Sequence, residues 1–504
     1  MIESLTRISK RSILLITLLV SLAVYGNTFL NEWTYDDVPV IVQNPDSHSI
    51  AGFLENSRPG RPLRELTYIP EYLLFGENPA GYRVQQLAWH GMNGFLLVLV
   101  FCLLGVRLPY ALLGGLFFLV HPLQSESVAN LSHRKELLAL FFCLVSLYAY
   151  LKATVSVGTR RVAFMAGSVI GYGVALLANQ AAITLPLLVV LAELFGMPLE
   201  RRLLTRRPVL VAVVGAIALA YLLYRFRGFI SPEQLLTIYS KNSFMASRSY
   251  IPLFMGAMAA FGFYLGKIAF PAGLAPEYSF ELSESLAQPW ALLSLALLVT
   301  LVCVALWMRR RLPLLSLGIG WFFVFWLPVS NLLPVAYLAA DRYMYLCLPG
   351  VALALAALLQ KPRSRWLGVG FSGALLILAV LTVIQNGHWR NEHTLWRHAV
   401  TVNPDSTWVQ ETVALSYLLT GDTVRAASHA REAVRLNRFN TRAYLTLAKA
   451  EERRGNLAEA VKNYEFFASF GAMEYPEEAA RIRLYLLKFR DQGPGTGDRK
   501  RLKE

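Results

Sequence analysis

Apolar and polar positions along the chain follow two patterns. Long apolar runs dominate from Ile13 to about residue 387. The first ends near Leu30, and ten more fall near 88–106, 109–121, 135–152, 162–178, 182–197, 208–225, 288–307, 313–328, 343–360 and 366–386. These eleven runs predict transmembrane helices. A helix needs about 20 residues to cross hydrocarbon, so the shorter runs must extend at their ends or sit inside the protein. A further run, 250–270, is apolar enough to cross but contains Lys267. Counting it as a span would place Arg309–Arg311 on the outer side, so it is read as a re-entrant or surface-lying helix. Beyond about residue 387 charges become dense, and the chain acquires a period of its own.

Charge placement orients the runs. Arg7, Lys10 and Arg11 precede the first, as in a signal peptide. The run is long, however, and passes through Asn27 to Trp33 without a small-x-small cleavage site, which predicts a retained helix with a cytoplasmic N-terminus. Arg107, Arg160–Arg161, Arg201–Arg202 with Arg206–Arg207, Arg309–Arg311 and Lys361–Arg365 fall at alternate loops, which the positive-inside rule makes cytoplasmic. The other loops face outward, the longest being 31–87, and an odd helix count leaves the C-terminus outside. Long loops in compact domains are usually functional.

Composition narrows the class. The chain has 504 residues, 48 Lys plus Arg against 33 Asp plus Glu, and a net charge of +15. Only 16% of residues are charged and 55% are hydrophobic, where a soluble domain carries roughly 25% charge. A soluble enzyme and a disordered chain are both excluded. Cys102, Cys143, Cys303 and Cys347 lie in apolar stretches and read as packing residues, not bridges. The basic excess sits in short clusters between apolar runs, the signature of cytoplasmic membrane loops and not of a nucleic-acid surface.

The C-terminal part repeats every 34 residues. Gly421 recurs as Gly455, Ala426 as Ala460, and Val409, Val413 and Ala414 as Ala443, Leu447 and Ala448; Trp396, Ala399 and Pro404 supply the preceding half unit. This pattern resembles tetratricopeptide repeats, departing from them at Arg438 where proline is usual. The expected organisation is a membrane domain over 1–387, a repeat α-solenoid over 388–490 with 477–490 as a capping helix, and a disordered basic tail over 491–504. Such a stack would offer a concave surface to an acceptor polypeptide, or serve as a structural or oligomerisation module.

Four clusters could carry chemistry. Tyr35-Asp36-Asp37 follows the first helix; burial would raise one carboxyl and suit it as a general base, while a helix cap or a solvated pair is the plainer reading. His121-Pro122-Leu123-Gln124-Ser125-Glu126 and Ser132-His133-Arg134-Lys135-Glu136 lie in the outward loop between the third and fourth helices. Two His and two Glu invite zinc, but the spacing fits no compact site and Arg134 with Lys135 would repel a dication. Arginine grips phosphate by paired hydrogen bonds and lysine as a point charge, so an anionic ligand suits this loop better, with a headgroup-level cluster as the alternative. Asn331-Leu332-Leu333-Pro334 leads to Asp341-Arg342-Tyr343, an ion pair that is costly at a helix mouth unless paired or used. Arg61, before Pro62, is a fourth candidate for anion binding.

In order, Tyr35-Asp36-Asp37, Arg61-Pro62-Leu63, Asn78-Pro79-Ala80-Gly81-Tyr82 with His90, His121-Pro122 with Glu126, and Arg134 to Ala139 are joined by Phe270-Pro271, Pro276-Glu277-Tyr278-Ser279, Leu327 to Pro334 and Asp341 to Leu346. This ordered set resembles the transmembrane and tetratricopeptide-repeat-containing O-mannosyltransferases and their bacterial relatives, over about residues 15–475. The resemblance implies an all-α, polytopic GT-C glycosyltransferase of the inner (plasma) membrane. It would move a mannose-like sugar from a polyprenyl-phosphate donor to Ser or Thr hydroxyls of a protein on the periplasmic face, where the repeats would also lie. It further implies that Asp36 or Asp37 acts as base or acceptor ligand. Arg61, Arg134, Lys135 and Arg342 would face the donor phosphate, and Tyr35, His90, His121, Glu126, Glu136, Tyr278, Asp341 and Tyr343 would line the cavity. The sequence assigns no cofactor, and a divalent metal is compatible with it. Asn179-Gln180 stands where relatives carry Lys-Glu, removing an ion pair from the outer face, and Asp341 where Glu is common. A ligase or polymerase using a lipid-linked oligosaccharide, and a non-enzymatic membrane scaffold, are the competing expectations.

Overall fold

The computed structural model describes residues 8–56, 61–196, 202–203, 208–226, 250–280, 288–332, 337–361 and 365–492. Of the basic tail expected over 491–504, Asp491 and Gln492 belong to the last helix instead, and residues 493–504, together with Arg201, Arg206, Arg207 and the Leu333-Pro334 part of the outer motif, lie outside the described residues. Among the described residues every regular element is helical. The chain divides into two compact units, one of residues 1–276 and 280–391, the other of 277–279 and 392–504.

In the first unit the elements are α1 (Lys10–Tyr25), α2 (Ile50–Glu55), α3 (Pro62–Phe75), α4 (Pro79–Leu104), α5 (Leu108–Val120), α6 (Ser125–Ala129), α7 (Arg134–Val155), α8 (Gly158–Ala178), α9 (Leu185–Gly196), α10 (Pro208–Phe226), α11 (Tyr250–Ala269), α12 (Pro289–Met308), α13 (Pro313–Trp326), α14 (Leu348–Leu359) and α15 (Arg365–His388). Proline at the first or second position starts many of them, because its missing N–H is not needed there. Six described helical segments are long and apolar enough to cross a membrane, or seven if the pair bent by 53° around His121 counts as one span. The chain is a multi-pass membrane protein. The remaining apolar helices have 10–17 residues each, so a full set of eleven spans requires several of them to act as part-spans.

Two boundaries differ from the sequence reading. α4 begins at Pro79, nine residues before its apolar run, with Asn78 Oδ1 accepting from the Ala80 N–H at 3.1 Å. Arg83 and Gln86 interrupt the hydropathy there without interrupting the helix, which shortens the first outward loop. The run at 343–360 is a helix only from Leu348, because Asp341–Met344 forms a separate 3-10 turn. The doubtful run 250–270 is α11; it packs on α12 and sets Phe261 against Phe323 and Trp326 of α13, at ring separations of 5.8 and 5.1 Å.

Close packing holds this unit together. Lipid chains are as apolar as leucine, so helix association relies on intimate contact and interhelical hydrogen bonds. α13 and α14 cross at Gly318 and Gly350: a Cβ on Gly350 would lie 2.5 Å from Gly318 O and 2.6 Å from Phe322 N. α15 returns to α1, where Asn386 Nδ2 donates to Val24 O at 3.0 Å and Asn27 Nδ2 to Val383 O at 2.9 Å.

The second unit holds α16 (Glu392–Val402), α17 (Thr407–Leu419), α18 (Thr423–Leu436), α19 (Thr441–Arg453), α20 (Leu457–Phe470) and α21 (Pro476–Gln492). Thr407 and Thr441 start helices 34 residues apart, as do Thr423 and Leu457. Gly421 and Gly455 occupy the matching interhelical turns at φ +88° and +85°, a backbone that side chains with a Cβ rarely adopt. Buried Ala426, Ala430, Ala443, Ala448 and Ala460 let the helices approach closely.

Gly350→Ala should destabilise the protein by about 1–3 kcal/mol, because the clash is with backbone and not with a movable side chain. Gly173→Ala, in α8 with open space at its Cβ, should not. Thermal melts of both variants in nanodiscs check this.

Candidate functional site

The site is built around a break in the membrane domain. Between α5 and α7 the chain runs through two short 3-10 turns and the five-residue α6, and residues 121–134 are all buried. Buried backbone outside a regular helix must find partners, and here side chains from neighbouring elements supply them. Thr382 Oγ1 donates to Val120 O at 2.6 Å, His90 Nε2 to Leu119 O at 3.1 Å, and Gln86 Nε2 to Ser127 O at 2.9 Å. Arg83 Nη1 donates to Ala129 O at 2.7 Å, the Tyr68 hydroxyl to Leu131 O at 2.6 Å, and Arg64 Nη1 to Ser132 O at 3.1 Å. His121 Nδ1 accepts from the Leu123 N–H, which leaves Nε2–H to donate to Ile268 O at 3.1 Å.

Asp37 belongs to this scaffold. Its side chain is fully buried and accepts from the Ser132 N–H at 2.7 Å and the Thr34 N–H at 3.4 Å. Burial pushes its carboxyl up to about 7, against the opposing charge of Arg83 and those two N–H groups. The raised carboxyl expected of the Asp pair is therefore Asp37, which no solvent reaches. Asp36 keeps 49% of its side chain exposed, with Oδ2 4.0 Å from His133 Nε2. Tyr35, at φ +56°, makes a left-handed turn immediately before the two acids. Its ring meets those of His133 and Trp389 edge-on, at 6.2 and 6.3 Å.

A second set of charges faces Asp36 across His133. Glu126 Oε1 lies 3.9 Å from His133 Nδ1. Glu126 also accepts the Arg342 N–H at 2.7 Å and is paired with the Arg342 guanidinium. That guanidinium lies over the Tyr337 and Tyr343 rings, 4.9 and 5.3 Å from their centres. Lys135 Nζ is 3.8 Å from Glu136 Oε1, and the charges of Arg61, Arg64 and Arg342 all act on it. Asn179, the departure from the Lys-Glu pattern, caps the turn Gln180–Thr184 and donates to Glu136 Oε1 at 3.5 Å. Asp341 is buried beside Arg342 in the 3-10 turn, where its charge acts on Lys267. The structure thus gathers Asp36, His133, Glu126, Arg342, Lys135, Glu136 and Arg61 from segments far apart in the chain. Among the described residues no group of three or more His, Cys, Asp or Glu is placed to hold a metal ion.

Three expected members serve the scaffold, and a fourth belongs to the second unit. Arg134 is fully buried and saturated: it binds Glu71 at 2.6 Å, Gln85 at 2.9 Å, and Gln86 and Tyr82 O at 3.0 Å, over the Tyr68 ring at 4.5 Å. It locks α7 to α3 and α4 and has no face left for a phosphate. His90 and His121 are buried structural side chains, His90 accepting from the Tyr345 hydroxyl at 2.9 Å. Tyr278 falls with Glu277 and Ser279 in the second unit, where Asn403 Nδ2 donates to Ser279 Oγ at 3.2 Å. The sequence reading passed over Arg64, Tyr68, Glu71, Arg83, Gln86 and Asn93. Arg83, Gln86, His90 and Asn93 recur at helical spacing, a polar stripe on an otherwise apolar helix, and that stripe was the available signal. Arg134→Leu should cost about 3–5 kcal/mol by leaving Glu71 buried and unpaired, and Arg134→Leu with Glu71→Leu should recover most of that loss. Melting of the single and double variants checks it.

No family model matches the chain. It is 25% identical over 458 residues to the protein O-mannosyl-transferase TMTC4 of Mus musculus, covering 76% of this chain and 61% of that protein. With TMTC4 of Homo sapiens the identity is 26% over 461 residues, covering 76% and 61%. With the protein O-mannosyl-transferase F38B6.6 of Caenorhabditis elegans it is 24% over 418 residues, covering 78% and 58%. The chain spans about three fifths of the length of these relatives. Among solved structures it overlays on ArnT from Cupriavidus metallidurans bound to undecaprenyl phosphate, at a TM-score of 0.41 and 17% identity, covering 90% of this chain and 80% of that one. Over three quarters of its length the chain is similar in sequence to protein O-mannosyl-transferases of the TMTC type, the family that its ordered motifs resemble.

Proposed function

We propose that this chain is a GT-C-type membrane glycosyltransferase that moves a mannose-like sugar from a polyprenyl-phosphate carrier to a Ser or Thr hydroxyl of a protein, on the extracytosolic face of the plasma membrane. The observation that carries the reading is the meeting of one accessible carboxylate, Asp36, with cations from distant segments. Asp36 takes the proton of the acceptor hydroxyl. The hydroxyl oxygen bonds to the anomeric carbon, and the bond from that carbon to the phosphate oxygen breaks with its electron pair left on the phosphate. Arg61 and Lys135, the cations with partly exposed side chains, meet that growing charge. Arg342, neutralised in part by Glu126, adds to the field from behind. The similarity to protein O-mannosyl-transferases supports the sugar and the acceptor class, and the apolar helices support a lipid-borne donor.

We further propose that the second unit is a tetratricopeptide stack that holds the acceptor polypeptide. The 34-residue recurrence of helix starts and of positive-φ glycines supports this. Truncation before Glu392 should reduce transfer to protein acceptors more than to short peptides, measured in membranes; equal loss on both would argue for a structural role.

For the chemistry, Asp36→Asn should lower glycosyl transfer by about a hundred- to ten-thousand-fold. Asp37→Asn should act mainly on stability, since its carboxylate holds the Thr34 and Ser132 N–H groups. Transfer of polyprenyl-phosphate-linked hexose in membranes, compared with the amount of folded protein, separates the two. Full activity in Asp36→Asn would refute the assignment.

A further inference from the structure

One side chain at the centre of the site has no part in the reaction as described above. The His133 side chain is 1% exposed and stands between the two acids. Nδ1 lies 3.4 Å from the Glu126 main-chain oxygen and Nε2 lies 4.0 Å from Asp36 Oδ2. A carbonyl oxygen only accepts, so the hydrogen of a neutral ring belongs on Nδ1. Nε2 then carries a lone pair, and it has no hydrogen-bond partner among the described residues. The acid beside that nitrogen is Asp36.

The consequence for Asp36 is electrostatic. An ionised carboxylate and a bare imidazole nitrogen have no hydrogen between them, and 4.0 Å is too long for a hydrogen bond. Once Asp36 gains a proton, its O–H can close on Nε2. The pair therefore favours the state that follows removal of the acceptor proton. The other groups facing the ring are Glu126 from α6, Arg342 from the 341–344 turn, Arg64 from α3, Lys135 beside it on α7, and the Tyr35 edge.

We propose that His133 is the positioning residue of Asp36, sharing at Nε2 the proton that Asp36 takes from the acceptor hydroxyl. This rests on the glycosyl-transfer reading. The acceptor O–H bond breaks and its proton lies between Asp36 Oδ2 and His133 Nε2. The acceptor oxygen forms its bond to the anomeric carbon, and the electron pair of the broken carbon–oxygen bond leaves on the lipid phosphate. The shared proton then passes to water or to that phosphate, which restores the bare pair.

Two measurements on the full chain in nanodiscs test the proposal. The first is steady-state transfer across pH for the wild type, His133→Gln and Asp36→Asn. His133→Gln should lower kcat by about 10- to 100-fold, with donor and acceptor KM within about twofold of wild type. The acid limb of its kcat profile should move to lower pH. Unchanged kcat and pH profile, or a change in KM alone, would overturn the relay while leaving an Asp36-dependent transferase intact. The second measurement needs no turnover: 15N spectra of the imidazoles, with His133 assigned by its loss in His133→Gln. The Nδ1–H tautomer is expected, with an Nε2 signal that moves in Asp36→Asn. An Nε2–H tautomer, or a signal indifferent to Asp36→Asn, would overturn the proton pair. If the wild type transfers no sugar, the proposed function fails and the spectra alone decide whether the pair exists.

Discussion

The membrane domain depends on satisfying a stretch of buried backbone that is not in a long helix. Between Val120 and Arg134 the chain breaks twice, and none of its residues reaches water. Each free carbonyl there would cost several kcal/mol in an apolar interior. Gln86, Arg83, Tyr68 and Arg64 remove that cost, while Thr382 and His90 satisfy the last two carbonyls of α5. The break in turn fixes where Glu126, His133 and Lys135 stand. A continuous helix across these positions would have spread the same side chains around its circumference.

The same scaffold explains why adjacent residues of like chemistry have opposite fates. Arg134 and Lys135 are neighbours on α7, but consecutive helical positions point about 100° apart. One turns into α3 and α4 and is consumed by Glu71 and the glutamines; the other keeps a fifth of its side chain exposed and sets its ammonium group beside Glu136. Asp36 and Asp37, just after the left-handed turn at Tyr35, divide in the same way. The buried member holds backbone N–H groups, and the exposed member is left for solvent or substrate. Burial and solvent exposure therefore divide between adjacent carboxylates.

Much of the fold was legible because apolar periodicity in a membrane chain is strong. The apolar runs coincide with helices, and the 34-residue recurrence reappears as helix starts and glycine turns. Legibility failed where polar residues sit on a membrane helix. Arg83 and Gln86 lowered the local hydropathy and hid the first two turns of α4, although they are there to serve the break and not to end the helix. Arg134 was misjudged because a cation in a loop motif looks available for phosphate until its partners are known. Glu71 and Gln85, which claim it, are separated from it by dozens of residues.

From the order of residues alone came a polytopic helical chain with a repeated C-terminal part, the order of its motifs, and an inventory of rare charges within apolar surroundings. Those properties follow from local composition and period, which need no knowledge of distant contacts. Contacts in space set which charges are spent on the scaffold and which stay partly exposed: Asp36 over Asp37, Lys135 over Arg134, and His133 between two acids. The reason is that desolvation and hydrogen-bond saturation are properties of a residue's neighbours in space, and those neighbours come from α3, α4 and the 341–344 turn, far away along the chain.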